Sequence, residues 1–492
     1  MYRFRYCTMI TLFLLQSLII IAQADKIQYS KDVEEKIARV ERSLSGWVKT
    51  SDSSWTLNGR MKNYKVHGVS IAVIRDYKLE WARGYGWADT SDKRPVTVRT
   101  LFQAASISKS LNAVGVLKLA DRKQLDLQKD INSYLRSWKF PYDTSKTHNN
   151  RINVTHLLSH TAGLSVHGFP GYKWTDALPS DIDILDGKRP ANTGAIRSEF
   201  EPGIRVKYSG GGTTITKRII MDITGQPYDV YMAKEVLLPM GMVNSFYTQP
   251  PPPGSFRHLA TAYNRNGSPI TGKFHIYPEQ AADGLWTTPT DLSNFIIEMQ
   301  LSLEGKSNKV LSKNITQTMM KPFIENAGLG VFIQTKGSSK YFGHGGDNEG
   351  FRCRYYGSLE GGDGVVVMIN SDNGAIIPEI LNSIGTVYSW QGFTGQVSKR
   401  PIPVHIDTLA AYVGNYQLEG INLKIIQKDY ALYLIQDNSP PVRMYFTSKS
   451  DFFIIEVNAE SSFLKNEKGE VEGILIRQAG QEFRAKRKLP GN

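Results

Sequence analysis

The spacing of hydrophobic and polar residues changes along the chain. The segment GVSIAVIRDYKLEWARGYGWAD, residues 68–89, alternates in the manner of two β-strands around a turn at 75–77. Four further strands are predicted in GLGVFIQ, KYFGHGG, GFRCRYYG and GVVVMIN, followed by a helix near 376–391. From about 120 to 300, helical segments mix with Gly/Pro-rich loops. Strands at both ends of this region predict an α+β fold, in which the two ends close one sheet around an all-helical insertion.

Helical spacing also surrounds a group of serines and one lysine. Apolar residues in QAASISKSLNAV, residues 103–114, recur at spacings of three and four, which predicts a helix. Residues three apart are neighbours on a helix surface, so Ser106 is expected to face Lys109. Ser108 and Ser110 are adjacent to Lys109 in sequence and face elsewhere. A second amphipathic helix is predicted over 30–50.

Short alternating segments dominate the last part of the chain. QVSKRPIPVH predicts a linker over 396–404, after a first domain of residues 25–395. Residues 405–492 contain the strand-like segments LKIIQKDYALYLIQ, VRMYFTS, DFFIIEV and VEGILIRQ, which predict a small antiparallel β domain, a barrel or sandwich. Ser462 and Lys465 form a second S-x-x-K here, but residues three apart on a strand project to opposite faces.

The first 24 residues have the pattern of a secretory signal peptide. Arg3 and Arg5 precede an apolar run, and the run ends in Ala-Gln-Ala at 22–24. An N-terminal membrane anchor is the alternative. Because the apolar run is short and interrupted by Gln16 and Ser17, cleavage is favoured. We therefore expect an exported, periplasmic or extracellular protein without a stable transmembrane anchor.

Cleavage would also remove one of the two cysteines. Cys7 lies in the signal peptide, which leaves Cys353 as the only cysteine of the mature chain and excludes an internal disulfide. Cys353 lies in the predicted strand GFRCRYYG, where a buried structural thiol is favoured over a nucleophile.

The net charge is strongly positive but dispersed. It is +13 at pH 7, and +11 without Arg3 and Arg5. Because the basic residues are not clustered, the charge indicates solubility or attraction to an anionic envelope, and not nucleic-acid recognition.

A serine hydroxyl is a weak nucleophile until a neighbouring base takes its proton. Lys109 can serve as that base only as a neutral amine. Ser106, at the start of its helix, also has a free backbone N–H that suits a developing oxyanion. Tyr208, which precedes three glycines in RVKYSGGGTT, offers a phenol able to relay a proton. The alternative for Tyr208 is a buried structural tyrosine.

A histidine and two glycines end another predicted strand. His344 is followed by Gly345 and Gly346 in YFGHGGDNEGF. The glycines would let a substrate lie along the strand and leave the N–H of Asp347 free to donate. By itself, a histidine such as His344 is more often a structural polar residue.

One histidine pair has the spacing of a zinc motif. His156 and His160, in HLLSH, are four residues apart as in H-E-x-x-H, but the glutamate is missing. A structural helix is favoured over a metal site.

Taken in order, S-I-S-K at 106–109, Y-S-G at 208–210 and H-G-G at 344–346 resemble the three motifs of the penicillin-recognising serine hydrolases. The set is similar to the branch of class C β-lactamases, D-aminopeptidases and esterases, whose motifs are S-x-x-K, Y-x-N and K-T-G or H-x-G. Other matching stretches are GVSIAVIRD, TLFQAASISKSL, THLLSHTAGL, GQPYDVYM, LLPMGM and AADGLWTTPTDLSNF.

The resemblance covers roughly residues 30–395. It implies a β-lactamase/transpeptidase-like fold with an antiparallel sheet flanked by helices. The C-terminal part resembles the small lipocalin-like domain appended to some members.

The resemblance also implies a role for each motif residue. Ser106 would be the acylated nucleophile, Lys109 its activating base and Tyr208 the proton shuttle. His344 would take the place of the third-motif lysine and hydrogen-bond Tyr208. The backbone N–H groups of Ser106 and Asp347 would form the oxyanion hole, and no metal or cofactor is implied.

Two departures from the family pattern affect the expected substrate. Gly210 stands where asparagine usually binds the acyl side of the substrate. His344 and Gly345 replace a lysine and a threonine that grip the carboxylate of β-lactams. With Gly346, these positions are expected to contact substrate. Both departures argue against efficient β-lactamase activity.

We therefore expect an exported serine hydrolase that acts through an acyl-enzyme on an ester, a D-amino-acid amide or a small peptide, including cell-wall material, with weak β-lactam turnover. A catalytically silent, penicillin-binding-like envelope-binding protein is the alternative.

Overall fold

The computed structural model describes residues 27–50, 55–393, 397–418, 420–437, 439–457, 459–478 and 481–488. The predicted signal peptide lies outside the described residues. The chain divides after Ala38 into a short N-terminal unit and a main unit that starts at Arg39. Helix α1 (Lys31–Arg42) begins in the first unit, and the elements below belong to the main unit.

Four helices of 13 to 16 residues and several shorter ones make up the helical part of the main unit in the described residues. They are α2 (Leu57–Tyr64), α3 (Ser108–Asp121), α4 (Thr144–Thr147), α5 (Val154–Leu158), α6 (Asp181–Asp186), α7 (Gly210–Thr224), α8 (Tyr228–Met232), α9 (Gln280–Asp283), α10 (Pro289–Glu304), α11 (Lys313–Met320), α12 (Ile376–Tyr388) and α13 (Ile406–Ala410).

The strands form one large sheet, a barrel and two small ribbons. They are β1 (Val48–Lys49), β2 (Gly68–Arg75), β3 (Lys78–Asp89), β4 (Arg94–Pro95), β5 (Phe102–Gln103), β6 (Trp286–Thr287), β7 (Phe332–Lys336), β8 (Ser339–Asn348), β9 (Phe351–Ser358), β10 (Gly364–Ile369), β11 (Val397–Ser398), β12 (Gly414–Leu418), β13 (Ile421–Lys428), β14 (Ala431–Gln436), β15 (Val442–Phe446), β16 (Asp451–Ile454), β17 (Glu460–Lys465), β18 (Val471–Gln478) and β19 (Gln481–Arg487).

The large sheet is antiparallel and runs in the order β4-β3-β2-β10-β9-β8-β7. The N-terminal strand β2 therefore pairs with the late strand β10, so the two ends of the region close one sheet, as predicted. Helices cover both faces. Tyr355 contacts Phe295 of α10, whereas the next residue, Tyr356, packs against Phe393 just beyond α12.

The C-terminal strands β12 to β19 close into an eight-stranded antiparallel barrel. It has its own apolar cluster, in which the rings of Tyr412 and Phe463 stack with centroids 3.7 Å apart. The predicted α+β architecture with a small C-terminal antiparallel β domain is confirmed.

A buried ionic cluster joins the barrel to the first part of the main unit. Arg60 of α2 donates to both carboxylate oxygens of Glu379 of α12, at 2.7 and 2.6 Å, and to Glu456 beyond β16 at 3.0 Å. The Tyr64 hydroxyl also donates to Glu379, at 2.6 Å. We call these four residues the Arg60 cluster.

One predicted helix boundary was wrong, and the linker bounds stay a prediction. The helix predicted over 30–50 ends at Arg42, because the backbone of Leu44 exchanges hydrogen bonds with Trp55 instead of continuing the helix. Part of the linker predicted over 396–404 is paired, since β11 runs parallel to β1.

Within the part of the chain that the structure describes, no helix has both the length and the hydropathy needed to cross a bilayer.

Candidate active site

The predicted nucleophile lies in a tight turn before α3. Residues Ala105–Ile107 form one helical turn that leads directly into that helix. Ala105 has a φ of 47°, in the left-handed region that residues with a Cβ rarely adopt. Such backbone strain persists only where the surrounding structure enforces it, and it clusters at functional sites. Here the strained turn leaves the Ser106 side chain half-buried at the edge of an open cleft.

Lys109 lies beneath Ser106, and its amine is hydrogen-bonded to several acceptors. Its Nζ is 2.9 Å from Ser106 Oγ, 2.8 Å from the carbonyl oxygen of Ala282 and 3.3 Å from Oδ1 of Asp283. Burial disfavours the charged amine, but the Asp283 carboxylate and Tyr208 outweigh burial, so the pKa of Lys109 is raised. The helix places Ser106 beside Lys109, as the spacing predicts.

The neighbouring serines are engaged elsewhere. Ser108 Oγ accepts the N–H of Leu285 at 3.0 Å, and Ser110 Oγ donates to the carbonyl of Gly330 at 2.7 Å. Both are fully buried. The second S-x-x-K lies on β17, where the Ser462 hydroxyl donates to Asp451 at 2.6 Å.

A carboxylate that the sequence reasoning missed completes the cluster. The Ser106 hydroxyl donates to Oδ1 of Asp283 at 3.0 Å. Asp283 ends the single-turn helix α9, whose penultimate residue, Ala282, also supplies a carbonyl to Lys109. The only sequence signal was the acid within the matching stretch AADGLW. We call Ser106, Lys109 and Asp283 the Ser106 cluster.

Tyr208 lies just before α7 among aromatic rings. Its ring centroid is 4.2 Å from that of His160, 4.9 Å from His167 and 6.0 Å from His344. Burial raises its pKa, although the Lys109 charge and hydrogen bonds to Ser106 and Lys109 oppose the rise. Tyr208 is thus a neutral phenol in contact with the Ser106 cluster.

His344 does not make the hydrogen bond to Tyr208 that the resemblance implied. Its Nδ1 donates to the carbonyl of Gly345 at 2.5 Å, so Nε2 is the acceptor nitrogen. Nε2 is buried and has no hydrogen-bond partner among the described residues. Burial lowers the pKa of His344 to about 3, and the nearby Lys109 charge contributes. His344 is therefore a neutral acceptor and not a cation.

The expected oxyanion donors flank the cleft. In the hairpin that joins β8 to β9, Asn348 pairs with Phe351 across a two-residue turn. Alternation of hydrogen bonds then turns the N–H of Asp347 away from β9. The pairing of β7 with β8 extends no further than Gly343, because β7 begins at Phe332, which lies opposite it. The N–H of Asp347 therefore lies on the edge of β8 that β7 leaves unpaired. Ser106 is in the first turn of its helix, where backbone N–H groups have no helical partner.

The three predicted substrate-binding glycines occupy different places. Gly345 lines the cleft. Gly346 is buried, and a Cβ there would lie 2.2 Å from the carbonyl oxygen of Ala104, so it allows β8 to pack on the segment before Ser106. Gly210 is buried and donates its N–H to the carbonyl of His167 at 2.9 Å. Gly210 and Gly346 thus support the cleft wall, and any contact with substrate stays a prediction.

The cleft has a volume of about 710 Å³. Its lining includes aspartates and histidines but no lysine or arginine among the described residues. The lining residues are Ser106, His167, Gly168, Phe169, Pro170, Tyr208, Asp283, His344, Gly345 and Asp347.

The histidine pair considered as a zinc motif is used within the protein. His156 Nδ1 accepts the N–H of Asn153 and belongs to the cap of α5. His160 Nδ1 accepts the N–H of Ser209, next to Tyr208. Cys353, predicted to be a buried structural thiol, is buried and free, and burial raises its pKa.

A protein-family model described as Beta-lactamase matches residues 56–377. The match spans more than half of the chain and includes Ser106, Lys109, Tyr208, Asp283 and His344. The chain belongs to the β-lactamase family.

The similar proteins are distant. Protein flp of Staphylococcus aureus (strain N315) is 25% identical over 336 residues, which cover 65% of this chain and 63% of flp. The chain thus spans less than two thirds of that relative.

Two solved structures share the fold. The octameric penicillin-binding protein homologue from Pyrococcus abyssi has a TM-score of 0.61 and 19% identity, over 87% of this chain and 97% of that chain. The D-amino acid amidase from Ochrobactrum anthropi SV3, complexed with L-phenylalanine amide, has a TM-score of 0.56 and 21% identity, over 73% of this chain and 100% of that chain. These likenesses confirm the β-lactamase-like fold and concern the fold alone.

Proposed function

We propose that this protein is a serine hydrolase that forms an acyl-enzyme on Ser106. The observation that carries the proposal is the position of Ser106 Oγ, which is 2.9 Å from Lys109 Nζ and 3.0 Å from Asp283 Oδ1 at an open cleft. A buried cation–carboxylate pair holds the hydroxyl and would supply a proton acceptor, and the backbone N–H groups of Ser106 and Asp347 would donate to a developing oxyanion. Tyr208 is placed to pass a proton to the leaving group.

The cleft favours substrates without a carboxylate beside the scissile bond. The described lining has no lysine or arginine, and His344 offers a neutral acceptor nitrogen where a cation would grip an anion. An acceptor nitrogen matches a leaving group that carries N–H or O–H. We therefore propose esters and D-amino-acid amides or small peptides as substrates, with β-lactams turned over weakly. The D-amino acid amidase of similar fold supports this class.

The test is a substrate panel on the wild type and on Ser106→Ala. The panel contains a p-nitrophenyl ester, a D-amino-acid amide, a D-Ala-D-Ala peptide and a chromogenic β-lactam. We expect turnover of the ester or the amide, and peptide mapping should place a fluorophosphonate adduct on Ser106. Ser462→Ala, which alters the other S-x-x-K, is the matched control and should behave as wild type.

Two outcomes would contradict the proposal. Undiminished turnover in Ser106→Ala would remove the nucleophile assignment. A wild type that forms no adduct and turns over no member of the panel would favour the silent envelope-binding protein.

We further propose that the protein is exported and that the barrel supplies no catalytic group. The composition of residues 1–24 supports export, and N-terminal sequencing of the secreted protein would test it. The barrel proposal is supported by the positions of the Ser106 cluster, Tyr208 and His344, which all precede β11 in the chain.

A further inference from the structure

The Ser106 hydroxyl has two candidate proton acceptors at similar distances. Lys109 Nζ lies 2.9 Å away and Asp283 Oδ1 lies 3.0 Å away. Starting from the proposed acyl-enzyme chemistry, we propose that Asp283 is the catalytic base that takes the Ser106 proton. In this assignment Lys109 stays an ammonium that positions Ser106 and Asp283.

The hydrogen bonds of Lys109 support an ammonium. Its three acceptors are Ser106 Oγ, the carbonyl oxygen of Ala282 and Asp283 Oδ1. An ammonium has three N–H groups and no lone pair, so it meets these acceptors, and the Tyr208 hydroxyl that also hydrogen-bonds to it, only as a donor. A neutral amine would have to direct a lone pair at Ser106 and would have only two N–H groups for the rest. With Lys109 donating to Oγ, the Ser106 O–H is directed to Asp283.

Burial supports the same charge state. The Lys109 and Asp283 side chains are 2% and 5% exposed. Deprotonating Lys109 would leave the buried Asp283 carboxylate without its cation, and an uncompensated buried charge is strongly destabilising. The raised pKa of Lys109 agrees with this. Transfer of the serine proton to Asp283, by contrast, keeps one positive charge in the cluster while the negative charge moves to the oxyanion.

In the acylation step, Ser106 Oγ bonds to the acyl carbon as its proton passes to Asp283 Oδ1. The carbonyl π electrons move to the oxygen that faces the N–H groups of Ser106 and Asp347. Collapse of this oxyanion breaks the bond to the leaving group, which takes the proton from Asp283 through Tyr208. In deacylation, water gives a proton to Asp283 and attacks the ester. Ser106 Oγ leaves and recovers that proton, so the net reaction consumes one water.

The test is Asp283→Asn in the full-length chain, because the two possible bases predict opposite signs. If Asp283 is the base, the acylation rate by a fluorophosphonate and the burst rate with a p-nitrophenyl ester should fall about 10²–10⁴-fold. If a neutral Lys109 is the base, removal of the carboxylate that keeps Lys109 charged should leave the rate unchanged or raise it. An unchanged or increased rate would overturn the inference.

A buried carboxylate elsewhere gives a matched control. Asp89 is 1% exposed and bonds to Lys273 at 2.6 Å, outside the cleft lining. Asp89→Asn should lower stability but leave the acylation rate of the folded protein unchanged.

If Asp283→Asn does not accumulate as folded protein, Asp283→Gly is used in its place. Its acylation rate is measured with and without formate, a carboxylate that can replace the missing side chain. An acylation rate that rises with formate supports the inference, and a rate that formate does not change overturns it. Failure of the proposed function is a separate result, since it would appear as a wild type with no adduct on Ser106.

Discussion

The Ser106 cluster and the Arg60 cluster are built from similar parts. Each combines a buried cation with a carboxylate, and each has a tyrosine hydroxyl in contact with the pair. In the Arg60 cluster, the guanidinium donates two hydrogen bonds of 2.6 and 2.7 Å to Glu379 and one to Glu456. The cluster therefore links α2, α12 and the barrel. In the Ser106 cluster, one acceptor, Ser106 Oγ, opens onto a cleft.

The difference lies in access and not in composition. A charge-assisted network buried between several elements fixes the relative positions of the elements that carry it. A network with one reactive atom at a cleft keeps that atom polarised and available to substrate. The comparison predicts that changes in the Ser106 cluster reduce the rate per folded molecule, whereas changes in the Arg60 cluster reduce stability and leave that rate unchanged.

The largest effect is expected for Lys109→Met. Without the ammonium, Asp283 loses its counter-ion and Ser106 its orienting donor, so turnover of a p-nitrophenyl ester should fall about 10²–10⁴-fold. Because the variant also leaves Asp283 buried without its cation, turnover is expressed per folded molecule, with the folded fraction measured by circular dichroism. Lys118→Met is the matched control, because Lys118 lies on the same helix and pairs with Glu235. A Lys109→Met variant with wild-type turnover would show that the cluster has no catalytic role.

Arg60→Met should invert this pattern. It leaves Glu379 buried without its cation, and removal of one partner of a buried ion pair costs about 3–5 kcal/mol. Urea denaturation should show the loss, while ester turnover per folded molecule stays at the wild-type value. A large fall in the rate constant of the folded variant would mean that the two clusters are coupled.

Glu279→Gln should change the pH dependence of stability through a residue next to the Ser106 cluster. Glu279 is one turn before Asp283, and its carboxylate oxygens have no hydrogen-bond partner among the described residues. Burial raises its pKa to about 8, and the Asp283 charge contributes. Between its ordinary value near 4.5 and about 8, the folded state holds a proton that the unfolded state has lost. Stability therefore falls as pH rises through this window, by up to about 1.4 kcal/mol per pH unit.

The glutamine variant has no such proton, so its stability relative to wild type should increase from pH 5 to pH 8. Unfolding by urea at several pH values measures this difference. The comparison with wild type cancels the contribution of His344, which has the opposite sign: its depressed pKa makes stability fall as pH drops below about 6.5. A difference that does not change with pH would show that Glu279 is ionised in the folded protein.

The smallest effect is expected for Glu456→Gln. Glu456 makes a single bond to Arg60, whereas Glu379 makes two, and an amide oxygen can still accept that bond. The free energy of unfolding should change by about 1 kcal/mol or less. A loss comparable to that of Arg60→Met would show that attachment of the barrel depends mainly on this contact.

Local periodicity was enough to predict the architecture and one pair of site residues. The strands β2, β3, β8, β9 and β10 follow from short apolar or alternating segments, and the pairing of Ser106 with Lys109 follows from helical spacing. These features depend on residues close in sequence. In the barrel, β19 was not predicted separately, because its sequence QEFRAKR is mostly polar.

Contacts between distant residues could not be predicted in the same way. Asp283 is 177 residues from Ser106 and lies on a single helical turn, so no periodicity linked the two. The orientation of His344 was also beyond local reasoning. Its Nδ1 donates to the carbonyl oxygen of Gly345. Only the packed structure shows that Nε2 is buried without a hydrogen-bond partner among the described residues.

Labelling of Cys353 would report local opening of the structure next to the Ser106 turn. Its Sγ lies 3.1 Å from the carbonyl oxygen of Ala104, and the space beside it exists only because residue 346 is glycine. Because Cys353 is buried, a thiol reagent reaches its sulfur only after a local opening of the surrounding structure. In a chain that starts at residue 25, Cys353 is the sole thiol. Its labelling rate would therefore report how often the structure around Cys353 opens. A bound acyl group would slow the labelling if it prevents that opening.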